Sequence, residues 1–387
     1  MLPSCAPSRT RASPSLELAD IVRAHGEAFA KTRVLRPEER AALRAIEQCR
    51  TAALGGHLDV CTACGDERPS YNSCRNRHCP KCQSLAQARW IARRLERILP
   101  IHYFHLVFTL PAELRLVTMR SREAVFDMLF ASASETLLAL ARDPKRLGAE
   151  LGVTMVLHTW TRELLFHPHV HAIVTGGGLS ADGARWIRAR RHFLFPVRVM
   201  GALFRGKMLA ALERAHARGL INLDGIDLQA LRRKSWIVYA KRPFGGSEQV
   251  IRYLGLYTHR VGISNQRLVA MDERGVTFRT KDGKSVTVPP VDMLARFVQH
   301  VLPPRFVKIR HFGLHSASHA KTRLELARQR LEPRAPSRSL RNHELDAPEL
   351  LLHLTGIDLR LCPVCNEPAL VRTSLPEVRC RAPPRAA

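Results

Sequence analysis

The chain has 387 residues, of which 45% are apolar, and its 61 lysines and arginines outnumber 34 acidic residues to give a formal net charge of +27. This length exceeds one typical hydrophobic core, so two or three domains are expected. So large a charge raises the self-repulsion of a compact protein and argues against an enzyme of small metabolites. A polyanion offsets that repulsion through counterion release, which makes nucleic acid the first candidate partner and an anionic membrane the second.

The N-terminal residues 1–16 are rich in Ser, Pro and Arg and lack the apolar run of a secretory signal, which is typical of a disordered basic tail. No run of the sequence approaches the ~20 apolar residues of a membrane-spanning helix, so no membrane partner is expected. We therefore expect an intracellular protein. In that compartment cysteines are more often metal ligands than disulfides.

Residues 17–99 are predicted to form a helical and zinc-binding DNA-binding module. Apolar residues recur at helical spacing over 17–54, and the charged segment 85–99 indicates a further helix. The cysteine cluster "HLDVCTACGDERPSYNSCRNRHCPKC" lies between them, at 57–82.

Two Cys-x-x-Cys pairs stand out in this cluster, Cys61 with Cys64 and Cys79 with Cys82, with fourteen residues between them. Two such pairs complete a tetrahedral sulfur site, so the sequence predicts one structural zinc ion bound by these four thiolates. Three further residues could replace a thiolate or hold a second metal, and their spacing does not decide between these roles: His57, Cys74 and His78.

Basic residues are interleaved with the cysteines in "RNRH" and "PK". Their charge suits them to contact DNA phosphates, although a solvated basic loop explains them equally well. The candidates for phosphate contact are Arg75, Arg77 and Lys81.

Residues 100–330 mix strands with helices. The β-branched and aromatic content of residues 102–110, 152–160 and 236–244 predicts strands, as does that of "HVHAIVTGG". Residues 201–220 are predicted to form a helix that ends at the glycine Gly219. The apolar segments and turn sequences of residues 267–290 indicate a short antiparallel meander.

The motif "FHPHVHAIV" places two histidines on one face of its strand, because strand side chains alternate. His169 and His171 can thus bind one divalent cation and leave positions for water or substrate oxygens. Two solvated or core histidines are the alternative. A metal site needs a third ligand, for which His158 on the neighbouring strand is the first choice, with Glu163 and His167 behind it.

The stretch "YLGLYTHR" contains two of the five tyrosines of the chain, Tyr253 and Tyr257, four positions apart. On a helix they share one face, as either an aromatic core pair or two functional phenols. His259 and Arg260 follow them and either bind phosphate or form a solvated helix end.

The tail 331–387 is predicted to be a basic linker before a small C-terminal segment. This segment carries Cys362 and Cys365, which are only half of a zinc site. Their partners could be Cys380 and one more group, or there could be no metal at all.

Three features occur in a fixed order: a strand ending in "FTLP" (108–111), the His-hydrophobic-His strand (169–171) and the Tyr-x-x-x-Tyr segment (253–257). This order resembles the rolling-circle HUH endonucleases. Together with "SCRNRHCPKCQ", "HPHVHAIVTGGGLS", "YLGLYTHRVGISNQRL" and "IRHFG", the chain resembles the two-tyrosine insertion-sequence transposases of that superfamily over about residues 35–330.

This resemblance implies an α+β fold, with an antiparallel-sheet HUH-type nuclease domain over 100–330. It gives metal-ligand roles to His169 and His171 and nucleophile roles to Tyr253 and Tyr257. It implies Mg²⁺ or Mn²⁺ at the catalytic site, Zn²⁺ in the module, and single-stranded DNA at element ends as the partner. It also implies a cytoplasmic protein of a bacterial-type cell, associated with the nucleoid through DNA. No nucleotide cofactor is expected, and the sequence specifies no oligomeric state.

The expected function is a transposase that nicks and rejoins single-stranded DNA through 5′-phosphotyrosine intermediates. One alternative is a plasmid replication initiator or relaxase with the same chemistry. The other is a non-enzymatic zinc DNA-binding protein in which the histidines bind nothing.

Overall fold

A computed structural model describes residues 16–241, 262–331 and 345–378, apart from 96, 282, 347, 351 and 353–355. Its helices are α1 Leu18–Thr32, α2 Pro37–Gln48, α3 Gln83–Leu95, α4 Arg115–Arg120, α5 Arg122–Arg142, α6 Val197–Ala217, α7 Leu228–Arg233, α8 Pro290–Val298 and α9 Arg323–Leu331. Its strands are β1 Gly56–Cys61, β2 Glu67–Tyr71, β3 Tyr103–Thr109, β4 Ala149–Trp160, β5 Phe166–Ser180, β6 Trp186–Arg188, β7 Val238–Lys241, β8 Leu268–Asp272, β9 Gly275–Arg279, β10 Ser285–Val288, β11 Ile309–Gly313 and β12 Leu370–Leu375.

The central sheet has the strand order β11-β4-β5-β3-β7, and the short strand β6 pairs with β5. Every pairing in it is antiparallel, which confirms the expected α+β class and its antiparallel sheet. The long strand β5 lies in the middle. Because its side chains alternate, Val170, Ala172 and Val174 enter the main core, while His169 and His171 face the other way.

Helices α5 and α6 cover the first face of this sheet and bury a large aromatic core with it. Phe108 on β3 packs edge-on against Phe204 of α6, and Phe126 of α5 packs against Phe306. Helix α5 is apolar and long enough to cross a membrane by composition, but 61% of its most apolar window is buried in the protein. It is therefore a core helix, and its apolar character reflects packing on the sheet.

Helix α3 packs on the opposite face of the sheet and covers only part of it. Trp90 of α3 forms a small core with Tyr103, Val156 and Ile173. The Tyr103 hydroxyl accepts a hydrogen bond of 2.9 Å from the backbone N–H of Leu99, which fixes the chain after α3. The remainder of this face carries the histidines.

A second core joins the N-terminal helices to a distant part of the chain. Ile21 and Phe29 of α1 and Ile46 of α2 belong to the same buried cluster as Phe278 of β9 and Phe297 of α8. The antiparallel order β10-β9-β8 confirms the expected meander. Residues 17–54 therefore pack against residues beyond the expected module, while the domain boundaries themselves stay a prediction.

The C-terminal strand β12 joins the N-terminal hairpin of β1 and β2 in a three-stranded sheet of order β12-β1-β2. Six residues of β1, Gly56 to Cys61, pair with β12 in antiparallel register. Arg372 donates two hydrogen bonds to the carboxylate of Asp59, at 2.6 and 2.8 Å. The small C-terminal segment is thus built into the N-terminal sheet.

His300 is a buried histidine outside the histidine cluster, and it is 3% exposed. Its Nδ1 accepts a hydrogen bond of 3.2 Å from the Thr159 hydroxyl, and its Nε2–H donates one of 3.1 Å to the Leu164 carbonyl. This pattern requires the neutral ring, and burial lowers the pKa of His300 to about 4.

We predict that His300 makes the protein less stable as the pH falls from about 6.5 to about 4. Over this range the unfolded ring binds a proton that the folded ring does not, so each pH unit costs up to about 1.4 kcal/mol. His300→Gln keeps a donor and an acceptor but cannot titrate, so its unfolding free energy should depend less on pH in this window. Urea unfolding at several pH values measures this. Equal slopes for the two proteins would contradict the assignment.

Candidate metal centres

The pairing of β4 with β5 assembles a cluster of three histidines. His158 of β4 lies directly opposite His169 in the antiparallel register, and His171 follows on the same face two residues later. One ligand nitrogen from each ring lies within 4.8 Å of the others. The ring centres of His158 and His171 are 4.5 Å apart, and those of His169 and His171 are 4.9 Å apart. The structure thus brings the predicted pair together with the predicted third ligand.

Hydrogen bonds fix the orientation of two of these rings. The Nδ1 of His169 lies 2.7 Å from the backbone carbonyl of His167 and donates to it. The Nδ1 of His171 lies 2.8 Å from Nε2 of His105, a buried residue of β3 whose ring stacks on it. In both rings Nδ1 is engaged, so Nε2 would be the ligand atom for a metal. Sequence reasoning missed His105, although it shares the alternation of a predicted strand.

Burial favours the neutral form of His105, His169 and His171. Desolvation lowers the pKa of His169 to about 4 and that of His105 to about 4. The pKa of His171 lies well below its usual value because of desolvation and the nearby His158. Neutral imidazole is the form that coordinates a metal, so the donor set suits a divalent cation near neutral pH.

The two alternatives for the third ligand lie outside the cluster. Neither Glu163 nor His167 joins it in the part of the chain that the structure describes. Strand β5 continues through Pro168, and the β4–β5 register shifts between His158 and Trp160. Trp160 stacks on His158 with ring centres 4.5 Å apart, so an aromatic wall borders the site.

The edge strand β7 adds polar groups to the same face of the sheet. Tyr239 lies opposite Val107, and Lys241 lies opposite His105 in the β3–β7 register. Directly opposed residues share a face, so both exposed side chains stand on the side of the histidines. The ammonium group of Lys241 contributes to the low pKa of His171.

The predicted nucleophiles Tyr253 and Tyr257, together with His259 and Arg260, lie outside the described residues. The residues on either side of this segment are described. Lys241 precedes it, beside His105. Gly262 follows it, with space for a Cβ limited by the rings and side chains of His300 and Leu164 at 3.1 Å. The His300 ring centre is 5.9 Å from that of Trp160, which in turn stacks on His158. Gly262 is thus linked to the histidine cluster through these two rings.

A cluster of four cysteines lies at the base of the β1–β2 hairpin: Cys49, Cys74, Cys79 and Cys82. The Sγ atom of Cys82 is 3.2 Å from that of Cys49 and 3.6 Å from that of Cys74. Hydrogen bonds from Cys74 and Cys79 lower the pKa of Cys49 to about 7, which favours its thiolate. Four converging thiolates form the ligand set of a closed, structural zinc site.

The expected grouping of Cys61 and Cys64 with Cys79 and Cys82 is wrong. The six-residue strand β1 separates the hairpin base from its tip by roughly 17–20 Å, at about 3.3 Å per residue. Cys61 and Cys64 lie at the tip, and Cys79 and Cys82 lie at the base. Cys49 and Cys74 complete the cluster with Cys79 and Cys82. Cys49 directly follows α2 and belongs to no Cys-x-x-Cys pair. The sequence could have indicated it only because Cys74, Cys79 and Cys82 need a fourth ligand to complete a tetrahedral site.

The hairpin tip forms a second cluster, in which Cys61 and Cys64 meet Cys362 and Cys365. The Sγ atoms of Cys61 and Cys365 are 3.6 Å apart, and those of Cys64 and Cys362 are 3.7 Å apart. The partners of the C-terminal pair are thus the N-terminal pair. Cys380, the partner that the sequence offered for Cys362 and Cys365, lies outside the described residues.

Neither histidine of the cysteine-rich stretch belongs to a cysteine cluster. The Nε2 of His78 accepts a hydrogen bond of 3.3 Å from the backbone N–H of Leu302, and burial lowers its pKa to about 3. His57 points to Asp59, with Nε2 3.8 Å from the carboxylate. Of the three additional candidates, only Cys74 lies at a metal-binding position.

Two of the basic DNA-contact candidates are engaged within the protein. Arg77 donates hydrogen bonds of 2.6 Å to the carbonyls of Phe306 and Pro303, and so ties the cysteine loop to the chain before β11. Lys81 forms an ion pair with Glu17. Arg75 is exposed, with a left-handed backbone (φ 53°).

Two family models match the chain. Residues 152–323 match a family described as "Putative transposase", and residues 21–110 match one described as "Transposase zinc-binding domain". The first of these covers most of β4, all of β5 and the three histidines, and the second covers the whole cysteine cluster at the hairpin base.

Two curated proteins are similar over most of the chain. The "Putative transposase y4qJ" of Sinorhizobium fredii (strain NBRC 101917 / NGR234) is 42% identical over 375 residues, which are 92% of this chain and 94% of the relative. The transposase for insertion sequence element IS801 of Pseudomonas savastanoi pv. phaseolicola is 30% identical over 287 residues, 68% of this chain and 67% of the relative. No solved structure shows significant similarity. The chain therefore belongs to the two-tyrosine rolling-circle family of insertion-sequence transposases that carry an N-terminal zinc-binding domain.

Proposed function

We propose that this transposase nicks and rejoins single-stranded DNA at the ends of its element by metal-dependent transesterification. The observation that carries the proposal is the convergence of His158, His169 and His171 on the face of the sheet that also carries Lys241, the last described residue before the segment with Tyr253 and Tyr257. The chemistry is rolling-circle-like and proceeds through 5′-phosphotyrosine intermediates. It takes place on DNA in the cytoplasm of a bacterial-type cell.

The three histidines fit a divalent cation because each ring offers one nitrogen within 4.8 Å of the others. A bound Mg²⁺ or Mn²⁺ would supply the Lewis acidity that polarises the scissile phosphate and offsets its developing charge. Imidazole nitrogen is a softer donor than the oxygen ligands that Mg²⁺ prefers, so this donor set favours Mn²⁺ over Mg²⁺. His105 would act as a positioning residue, since its bond to Nδ1 of His171 leaves Nε2 as the atom that would hold the metal.

The covalent step uses a tyrosine as the nucleophile. The phenolic oxygen attacks phosphorus, the bond from phosphorus to the 3′-oxygen breaks, and the leaving oxygen takes up a proton as the phenol loses one. The strand keeps a 5′-phosphotyrosine ester and a free 3′-hydroxyl, which can reverse the reaction on another end. The energy of the phosphodiester is conserved, so no nucleotide cofactor is required. Two tyrosines allow two linked cleavages.

Two other tyrosines lie in the sheet. Tyr103 would be a poor nucleophile, and Tyr239 serves as a control. Tyr103 is buried, its hydroxyl already accepts a hydrogen bond from Leu99, and burial raises its pKa. Tyr239 is 54% exposed on the histidine face, two strands from His171 in register, and it is the described tyrosine that rivals the proposed pair.

DNA binding follows from family membership and from the positive charge of the chain. We propose that single-stranded DNA reaches the histidine face with phosphate contacts from Arg75, His259 and Arg260. The naming of both relatives as transposases favours transposition over a replication initiator or relaxase. The assembled histidine cluster favours an enzyme over a zinc protein that only binds DNA.

We predict that His171→Ala lowers the nicking rate on a cognate single-stranded oligonucleotide by about 100-fold or more, because it removes a metal ligand. DNA affinity should remain, since the backbone of β5 is unchanged. His167→Ala is the matched control: its ring lies on the same strand outside the cluster, so nicking should persist. Equal loss in the two variants, or full nicking by a His169→Ala, His171→Ala protein, would place the catalytic centre elsewhere.

A second prediction concerns the metal. EDTA should stop cleavage, and Mn²⁺ should restore it at a lower concentration than Mg²⁺ because three imidazoles bind the softer ion more tightly. Titration of cleavage rate against each metal gives the two apparent affinities. Cleavage that survives exhaustive EDTA treatment, or a clear preference for Mg²⁺, would contradict a three-imidazole site.

A third prediction concerns the nucleophiles. Tyr253→Phe combined with Tyr257→Phe should abolish the covalent protein–DNA adduct, because the substitution removes the attacking oxygen and retains the ring. If the pair were only packed in a core, the loss would be about 1 kcal/mol of stability with activity retained. Tyr239→Phe, on the histidine face, serves as the control and should form the adduct normally. Denaturing gels and peptide mapping measure the adduct. An adduct that persists in the double variant and maps to Tyr239 would overturn the assignment.

A further inference from the structure

We propose that Cys61, Cys64, Cys362 and Cys365 bind a second structural zinc ion, which clasps the C-terminal segment to the N-terminal hairpin. The matched zinc-binding domain ends at residue 110 and the transposase domain at residue 323. Half of this ligand set therefore lies beyond both. The proposal rests on the geometry of the four thiols and is independent of the nuclease chemistry.

The two halves of the site have the same backbone conformation. The N–H of Gly65 donates to the carbonyl of Cys61 at 2.9 Å, and the N–H of Asn366 donates to that of Cys362 at 2.7 Å. Each first cysteine also donates its own N–H, Cys61 to Asp66 and Cys362 to Glu367, both at 2.9 Å.

Both turns close on a residue with a left-handed backbone, Gly65 at φ 76° and Asn366 at φ 62°. Glycine and asparagine tolerate this conformation better than other residues. Two copies of one knuckle, "CTACGD" and "CPVCNE", thus point their thiols at a common centre.

The sulfur spacing matches a tetrahedral tetrathiolate. Zn–S bonds of about 2.3 Å at tetrahedral angles put neighbouring sulfurs ~3.8 Å apart. The observed Cys61–Cys365 and Cys64–Cys362 separations are 3.6 and 3.7 Å. A disulfide would require about 2.05 Å, so the four thiols are arranged around a centre and not joined in pairs.

The pairing of β1 with β12 holds the two knuckles together. Its register ends at Cys61 opposite Leu370, so each knuckle emerges from the same end of the sheet. The bidentate Asp59–Arg372 contact fixes this register. A zinc ion here would link residues 304 positions apart, Cys61 and Cys365. Cross-links that close long loops constrain the unfolded chain most, so the ion would hold the C-terminal segment in place.

The two cysteine clusters lie at opposite ends of β1, so each can bind its ion independently. Freshly purified, reduced, full-length protein should contain one zinc ion for each of the two clusters. Cys362→Ser with Cys365→Ser should halve the zinc content. Val364→Ser is the matched control, because this exposed residue lies in the same knuckle without being a ligand, and it should leave the content unchanged. Full zinc content in the double variant would overturn the proposal.

Hydrogen exchange tests whether the zinc ion holds the C-terminal strand β12 against β1. In the double variant, the amides of β12 that pair with β1 should exchange at least tenfold faster, while the amides of β4 and β5 should be unchanged and so report a folded nuclease sheet. Equal protection of β12 in the two proteins would show that no ion holds this strand.

Thiol alkylation of the unaltered protein covers the case in which the variant does not fold. With zinc present, Cys64 and Cys365 should react slowly with N-ethylmaleimide although the Cys64 side chain is exposed. A zinc chelator should speed both reactions together with that of Cys362. Rapid alkylation of Cys64 and Cys365 in zinc-loaded protein would overturn the proposal.

Discussion

The antiparallel register of β4 on β5 is the constraint on which the candidate nuclease site depends. It sets His158 opposite His169 and, because strand side chains alternate, puts His171 on the same face. A shift of one residue would turn the histidines into the phenylalanine-rich core under α5. The aromatic packing of Phe108, Phe126 and Phe204 on the other face resists such a shift. The core that stabilises the sheet thus also fixes the geometry of the site.

Two regions of the molecule differ in their electrostatics: the buried histidine cluster and the surface that is rich in lysine and arginine. Burial lowers the pKa values of His169 and His171, so protons do not compete with a cation for these rings near neutral pH. The excess of lysine and arginine over acidic residues attracts nucleic acid from a distance and without sequence preference. Part of this positive charge is structural, as Arg77 shows by holding the carbonyls before β11. Counting basic residues in the cysteine loop therefore overstates its phosphate contacts.

Local patterns in the sequence predicted which histidines lie together, but they did not predict which cysteines do. The alternation around His169 and a β-branched neighbouring strand were enough to bring in His158, because both signals lie within one pair of adjacent strands. The cysteine pairs were wrongly grouped because sequence proximity ignores the length of β1, and because Cys362 and Cys365 come from the far end of the chain. The core shared by α1 and α8 was likewise missed, since amphipathic spacing shows that a face is buried but not its partner.

The most direct test of the account is a crystal structure of the Mn²⁺-loaded protein, with the ion located by its anomalous scattering. The account predicts one manganese ion bonded to Nε2 of His169 and Nε2 of His171, with the His158 ring as the third ligand and His105 still bonded to Nδ1 of His171. The phenolic oxygen of Tyr253 or Tyr257 should lie on the open side of the ion. Manganese bound away from β4 and β5, or both tyrosines buried in a core remote from the histidines, would contradict it.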